Sequence, residues 1–178
     1  MSTFPRSVVA VTAGLSLLGL AACSGGSEGQ SGSEEQPPTS AAAGSGLAQF
    51  DPCGFFKPDE LTSWGVSTTS EEFSPVDFEP GCQWEGENMG VTLQKNVTET
   101  VESYARSNWD KYEQRSLGGR NGAIAITAGG TGMGGCNALV DAGGGVVIYG
   151  VDGYKRDSVD ACAEVEKIAS QTASRLPE

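Results

Sequence analysis

The chain contains no histidine, and that absence excludes several kinds of catalytic and metal site. Without an imidazole there is no Ser-His-Asp triad, no Cys-His pair and no histidine-ligated zinc. Basic residues are also scarce, with 11 Lys and Arg against 23 Asp and Glu in 178 residues, a formal charge of −12. Because affinity for nucleic acid depends largely on clustered Lys and Arg, we expect no nucleic-acid partner.

The N-terminus has the pattern of an export signal. Arg6 precedes an uncharged apolar run over residues 7–22, which is short for the about 20 residues that a membrane-spanning helix needs. The run ends at Leu20–Cys23, a tetrapeptide that resembles the bacterial lipobox, in which the cysteine is lipidated and the signal peptide is cut before it. We therefore predict a signal peptide over 1–22 and a lipid on Cys23 that anchors the protein at the outer face of the cell membrane. The alternatives are a plain secreted protein and an uncleaved anchor in which the cysteine is incidental.

Residues 23–46 begin with that cysteine and continue as a segment rich in Ser and Gly, with almost no large apolar side chain. Such a composition cannot offset the entropy cost of ordering the chain, so it predicts a flexible tether. A coil of this length would hold the rest of the protein on the order of 25 Å from the membrane. The folded unit is predicted to be one domain over 47–178.

Four cysteines lie in that domain, namely Cys53, Cys82, Cys136 and Cys162. An even number in an exported chain predicts two disulfides. A four-thiolate zinc site usually contains Cys-x2-Cys pairs, and a thioredoxin-type redox site requires one; neither motif is present. We therefore predict no metal and no cofactor.

The apolar pattern predicts the element order helix, two strands, helix, three strands, helix. The first helix begins at Lys57-Pro58 and the last at Asp157 or Ser158. The second helix follows Thr98 and would present one apolar stripe: Val101, Tyr104, Ala105, Trp109 and Tyr112. Strands joined by short turns are antiparallel, so we predict an α+β fold in which a single antiparallel sheet of about five strands packs with three helices.

This order suggests how the cysteines pair, although four cysteines allow three pairings. Cys82 and Cys136 both lie on predicted strands, and Cys53 and Cys162 both lie at predicted helices. We therefore expect the disulfides Cys82–Cys136 and Cys53–Cys162. The second would join the two ends of the domain.

An ordered set of short motifs is similar to a known family. In chain order, the motifs are Phe50–Cys53, Cys82–Trp84, Gly122-Ala123, Cys136, Asp160–Cys162 and Leu176-Pro177. Together they resemble the actinobacterial envelope lipoproteins grouped as domain of unknown function 3558, over essentially all of residues 47–178. The resemblance implies an exported, lipid-anchored α+β domain with two disulfides. It implies no biochemical activity.

A glycine-rich segment, Gly129–Gly135, contains a formal match to the dinucleotide motif G-x-G-x-x-G. Dinucleotide binding needs a helix directly after that motif, and here the pattern of a strand follows. We therefore expect a hairpin loop. Closure of this loop over a ligand or partner is the alternative hypothesis, because loops often carry function.

Three groups of acids invite comparison with a two-carboxylate glycosidase: Asp59-Glu60, Glu71-Glu72, and Asp157 with Asp160. Each lies in the first turn of a predicted helix or in a polar loop, where acids interact with the helix dipole or with water. We therefore expect them at the surface and predict no catalytic residue.

Two aromatic sites and one short motif complete the candidates. Trp84 shares a predicted strand face with Cys82, which favours burial against a disulfide, whereas Trp109 and Tyr112 could line a groove. Asn96–Thr98 matches a glycosylation acceptor but is expected to be a strand-to-helix turn.

Taken together, these patterns predict a lipid-anchored binding or interaction module that is accessory to an envelope process. Its partners would be the membrane, through the lipid on Cys23, and an envelope protein or a small ligand. One alternative is an envelope enzyme that acts on a cell-wall substrate through carboxylates. The other is a passive structural lipoprotein.

Overall fold

A computed structural model describes residues 46–155 and 158–178. The predictions for the signal peptide, for Cys23, for nearly all of the tether and for Asp157 lie outside these residues. Seven strands form one sheet: β1 Glu71–Phe73, β2 Gly81–Glu85, β3 Met89–Asn96, β4 Trp109–Leu117, β5 Arg120–Thr127, β6 Gly135–Ala142 and β7 Gly145–Gly153. The α-helices are α1 Pro58–Ser63, α2 Val101–Tyr104 and α3 Ala161–Thr172, and short 3-10 turns occupy Pro52–Gly54 and Ala173–Arg175.

The strand order is β1-β2-β3-β7-β6-β5-β4, and every neighbouring pair is antiparallel. The predicted α+β fold, with a single antiparallel sheet, three helices and two disulfides, is therefore confirmed, with seven strands instead of about five. One added strand is the three-residue edge strand β1. The other is β4, which stands where most of the second helix was predicted.

The prediction of a long second helix was wrong because of a β-bulge. The helix spans only Val101–Tyr104, and Thr100 rather than Thr98 caps it by accepting a hydrogen bond from the amide of Ser103. The register of β4 against β5 shifts between Trp109 and Lys111. Because a bulge adds one residue to a strand, Trp109 and Tyr112 come to the same face although they are three apart. That spacing imitates a helical stripe.

One face of the sheet is covered by α1 and α3 and is called here the helix-covered face, whereas α2 lies on the other face. Alternate strand residues such as Val91, Leu93 and Val147 lie in one buried cluster with Val165 and Ile168 of α3. Trp84, 1% exposed, belongs to this cluster, and its ring centroid lies 5.0 Å from that of Phe56. The expected burial of Trp84 is confirmed.

The predicted disulfide pairs were wrong, although all four cysteines are bonded. The bonds are Cys53–Cys82 and Cys136–Cys162, with Cα–Cα distances of 5.2 and 5.1 Å. In the sheet order, β2 and β6 are separated by β3 and β7. Three interstrand steps of about 4.8 Å put Cys82 and Cys136 too far apart for a disulfide. Each bond instead ties an element on the helix-covered face to the strand beneath it.

The two ends of the domain are held by basic side chains rather than by a disulfide. The ammonium of Lys95 donates to the carbonyl of Ala48 at 2.8 Å, and the guanidinium of Arg120 donates to the carbonyl of Pro177 at 3.0 Å. The amide of Leu47 also donates to the carbonyl of Gly143 at 3.5 Å. The domain therefore begins and ends beside the β6–β7 turn. Within the described residues, no helix is both long and apolar enough to cross a bilayer.

Candidate functional site

The second face of the sheet carries a cluster of uncharged polar side chains: Gln83 of β2, Thr92 and Gln94 of β3, and Asn137 of β6. These residues alternate along their strands with Trp84, Val91, Leu93 and Ala138, which lie in the core of the helix-covered face. Because successive side chains of a strand point to opposite faces, the four polar side chains share one surface. We call it the polar face.

The register of the strands aligns these residues in a row. Gln83 pairs with Thr92, Thr92 with Gly150 of β7, and Gly150 with Asn137. The row therefore crosses four neighbouring strands, a span of about 14 Å. Gly150 lies at its centre, and the hydroxyl of Thr92 occupies the space beside it that a side chain would need.

Polar oxygens of the neighbouring strands lie close to Gly150. A Cβ atom at position 150 would lie 3.4 Å from Asn137 Oδ1 and closer still to Thr92 Oγ1. A side chain at this position would therefore displace the threonine hydroxyl. Glycine therefore lets the Thr92 hydroxyl lie at the centre of the row.

Two members of the polar face are buried without a partner. Gln94 is 5% exposed and Thr92 is 7% exposed, and neither side chain makes a hydrogen bond to any residue in 46–155 or 158–178. Over the same ranges, no fully enclosed side-chain nitrogen or oxygen lacks a partner, so the polar atoms of both residues remain reachable from outside. Both side chains are therefore free to form hydrogen bonds with a molecule that lies on this face.

The charges of the sheet are distributed unequally between its faces. The strands carry four basic residues, Lys95, Lys111, Arg115 and Arg120, and all four alternate onto the helix-covered face. No strand residue of the polar face is Lys or Arg, whereas its margins carry Glu71, Glu85 and Asp152. The face is therefore suited to a neutral ligand rather than to an anion.

Aromatic side chains border the polar face on its β4 side. The rings of Trp109 and Tyr112 lie 6.1 Å apart and pack on Ala125, the neighbour of Asn137 in the row. The indole of Trp109 donates to the carbonyl of Tyr104 at 2.7 Å, and the phenol of Tyr112 donates to the carbonyl of Val101 at 2.6 Å. Both rings are half-buried and lie on β4 instead of the predicted helix, and the hypothesis that they line a groove stays a prediction.

The other borders come from α2 and from Tyr154. Val101 of α2 packs on Leu139, Val146 and Ile148 and so covers the part of this face nearest the β6–β7 turn. Tyr104 donates from its hydroxyl to Glu79; burial and this hydrogen bond raise the pKa of Tyr104, which keeps the phenol protonated. At the opposite end, a Cβ atom at Gly90 would lie 3.1 Å from the hydroxyl of Tyr154.

A second concave region lies at the β1 edge of the sheet. It is a cavity of about 520 Å³ whose wall is mostly apolar and includes Phe50, Pro52, Phe73 and Pro80. Lys95 also reaches this wall, but its ammonium is already bonded to the carbonyls of Ala48 and Phe50. Asp51 and Glu72 also line it, so this cavity, unlike the row of the polar face, carries charged side chains.

The glycine-rich segment is a hairpin loop, as predicted, because it joins the paired strands β5 and β6. Asp110 holds the loop by accepting hydrogen bonds from the amide and the hydroxyl of Thr131, at 3.0 and 2.9 Å. The hydrogen bond from the backbone of Thr131 is the main cause that lowers the pKa of Asp110. A strand follows the loop, so the helix that a dinucleotide motif requires is not there.

The acids singled out from the sequence have structural partners or lie at the surface. Glu60 accepts from the amide of Lys57 and from Arg175, both at 2.9 Å. Asp160 caps α3 by accepting from the amide of Ala163 at 3.1 Å, and this places the start of the helix after the predicted Asp157 or Ser158. Asp59, Glu71 and Glu72 are exposed. Among the described residues, no three His, Cys, Asp or Glu side chains form a metal-binding group.

The possible glycosylation acceptor is a turn, as predicted. Asn96 is 1% exposed, and its side-chain oxygen Oδ1 accepts a hydrogen bond from the backbone amide of Thr98 at 3.0 Å. Its amide group donates to the hydroxyl of Tyr104 at 3.0 Å. The side chain therefore fastens the end of β3 to α2.

Sequence reasoning did not identify the polar face. Its signal was the alternation of polar residues with Val91 and Leu93 in β3, but alternation alone is typical of any half-exposed strand. Which strands lie next to one another decides whether these residues meet. Here the pairing of β3 with β7, which are separated by three other strands in the chain, brings Thr92 beside Gly150 and Asn137.

Comparison with known proteins gives a family but no function. A family model described as "Protein of unknown function (DUF3558)" matches residues 18–175, a range that includes Cys23 and nearly all of the domain. No curated protein and no solved structure matches the chain significantly.

Proposed function

We propose that this protein, which belongs to the DUF3558 family, is a lipid-anchored lipoprotein at the outer face of the cell membrane whose domain is a binding module. The anchor would be the lipid on Cys23, and residues 24–46 would be the tether. Support for the anchor comes from the apolar run and the lipobox-like Leu20–Cys23. Two disulfides in the domain agree with an oxidising, exported environment.

The binding role is carried by one observation, the row of uncharged polar side chains on the polar face, of which Gln94 and Thr92 have no hydrogen-bond partner within the described residues. The polar atoms of both side chains remain accessible, so they can form hydrogen bonds with a molecule on this face. A ligand or partner with hydroxyl or amide groups would form such bonds. The domain would then act as an accessory to an envelope process, by holding that ligand or partner near the membrane.

The anchor is tested by replacing Cys23 with Ala in the full chain and separating membrane and soluble fractions of the cells. Loss of the lipid should move the protein out of the membrane fraction, because this is the proposed point of attachment. The control is the double variant Cys136→Ser/Cys162→Ser, which loses one of the two disulfides but keeps Cys23. It should stay with the membrane. A Cys23→Ala protein that also stays there would contradict the proposed anchor.

The binding role is tested by formaldehyde cross-linking of the full-length protein in cells, followed by mass spectrometry of what is captured. We expect a reproducible set of adducts that is depleted in the double variant Gln83→Leu/Asn137→Leu. The matched control is Gln171→Leu, on the exposed side of α3. Adducts that are unchanged in the double variant, or no reproducible adduct at all, would contradict binding through this surface.

A further inference from the structure

The chemistry of the polar face narrows the class of ligand that it would bind, and this step rests on the proposed binding role. Its central groups are three carboxamides and one hydroxyl, those of Gln83, Gln94, Asn137 and Thr92. A carboxamide offers both donors and acceptors, and a hydroxyl offers one donor and two acceptors. Such a set suits a ligand whose own groups both donate and accept.

Charge removes the anionic ligands of the envelope from consideration. Phosphate, sulfate and carboxylate groups are recognised through Arg, Lys or clustered backbone amides. The strands present no basic residue on this face, and Glu71, Glu85 and Asp152 at its margins would repel an anion. The overall charge of −12 acts in the same direction.

The length of the polar row and its aromatic borders narrow the class of ligand further. The row of Gln83, Thr92, Gly150 and Asn137 extends for about 14 Å across four strands, a length that matches an extended chain better than a single small molecule. Trp109 and Tyr112 continue the row on the β4 side, beyond Ala125. Aromatic rings offer an apolar face, which suits the flat C–H surface of a sugar ring, and the neighbouring amides suit its hydroxyls.

We infer that the polar face is a binding site for a neutral saccharide chain. The sugar hydroxyls would form hydrogen bonds with Gln94, Thr92, Gln83 and Asn137, which lack partners within the described residues, and a sugar ring would pack against Trp109 or Tyr112. Gly150 would keep the Thr92 hydroxyl in place for the ligand, because a side chain there would displace it.

The test uses affinity electrophoresis of the full chain with Cys23→Ser, in gels that contain one neutral polysaccharide each. The probes are dextran, a β-glucan, mannan, galactan and arabinan, with dextran sulfate as the charged counterpart of dextran. We expect at least one neutral polymer to retard the protein and dextran sulfate not to do so. No retardation by any neutral polymer, or stronger retardation by dextran sulfate, would overturn the inference.

Variants locate the binding on the polar face. Gln83→Leu and Asn137→Leu, at half-buried positions, should each weaken the retarding interaction about tenfold, the effect of one lost hydrogen bond. Gln171→Leu on α3 should leave it unchanged. Near-ultraviolet circular dichroism shows whether each variant folds. If a leucine variant does not fold, Thr92→Val replaces it, because valine keeps the shape of the threonine side chain. Retardation that persists in every folded variant would overturn the inference.

The binding role of the domain and the saccharide nature of its ligand can be refuted separately. In-cell adducts that depend on the polar face, together with no binding to any neutral polymer, would leave the binding module standing and refute the saccharide. A neutral peptide of Ser and Gly serves as a further probe in the same gels, in soluble form. If it releases the protein from a retarding polysaccharide, the site recognises amide or hydroxyl groups in general, and the inference of a saccharide is wrong.

Discussion

Thr92 and Gly150 are direct neighbours across β3 and β7, and the hydroxyl of Thr92 occupies the space that a side chain at position 150 would need. The glycine thus keeps an unpaired hydroxyl at the surface of the sheet instead of covering it. Thr172 shows the opposite arrangement. Its hydroxyl donates to the carbonyl of Ile168 at 2.8 Å and lies 3.2 Å from the hydroxyl of Tyr149, inside the core.

These two threonines give a matched pair of variants. Thr172→Val removes a hydroxyl that is hydrogen-bonded, and should lower the free energy of unfolding by about 1–3 kcal/mol. Thr92→Val removes a hydroxyl without a partner in the described part of the chain, and should leave the free energy unchanged or raise it by up to about 1 kcal/mol. Urea unfolding of both variants measures the difference. An equal loss of stability in Thr92→Val would show that its hydroxyl is satisfied within the fold.

Gly150→Ala should be destabilising, although alanine is ordinarily acceptable in a strand. The new Cβ atom would collide with the Thr92 hydroxyl, and we expect a cost of about 1–3 kcal/mol. Thr92→Ala removes the colliding atom, so in that background the cost of Gly150→Ala should largely disappear. A double-mutant cycle in urea measures the coupling. Costs that simply add would contradict the close approach.

Mapping of disulfide-linked peptides distinguishes the observed pairs of cysteines from any other pairing. Digestion without reduction should release one linked peptide that contains Cys53 and Cys82 and another that contains Cys136 and Cys162. Replacing both members of one pair with Ser should lower the free energy of unfolding by about 2–4 kcal/mol. Replacing one cysteine from each pair should cost more, because both bonds are lost. A peptide that joins Cys82 to Cys136 would contradict the structure.

The attachment of the glycine-rich loop should depend on pH. The hydrogen bonds from Thr131 lower the pKa of Asp110 below the ordinary value of about 3.9. Because the pKa is lower in the folded state, the attachment contributes stability above the unfolded pKa and is lost as the pH falls through the folded pKa. The amide resonance of Thr131 should therefore stay constant to below pH of about 4 and then shift.

The variant Asp110→Asn removes the charge and should move the Thr131 resonance at neutral pH. The control is Asp59→Asn, at an exposed acid in α1, which should leave the Thr131 resonance unchanged. A Thr131 titration with its midpoint at or above the ordinary aspartate value would refute the role of Asp110.

The sequence was sufficient for the fold class because local signals agreed with it. Pro58 at the first helical position and the tight turn between β6 and β7 depend on neighbouring residues only. The sequence-based predictions failed where the structure depends on contacts between residues that are distant in the chain. The bulge at Asp110 gave Trp109 and Tyr112 a helical spacing, and the disulfide pairs depend on strand order, which the chain does not reveal locally.

The candidate site depends on the same information. Thr92 and Gln94 looked like the solvent-facing positions of an ordinary strand. Their burial and their proximity to Gly150 and Asn137 follow from the placement of β3 beside β7. The helix-covered face was predictable because apolar alternation marks it directly.

The central claim is that the polar face contacts a ligand or partner in the cell. The most direct measurement places a photo-crosslinking amino acid at position 83 or at position 171 of the full chain, replacing a glutamine on the polar face or one on α3. After irradiation of intact cells, we predict a discrete adduct from position 83 and none from position 171. Equal labelling at both positions, or none at position 83, would contradict the account.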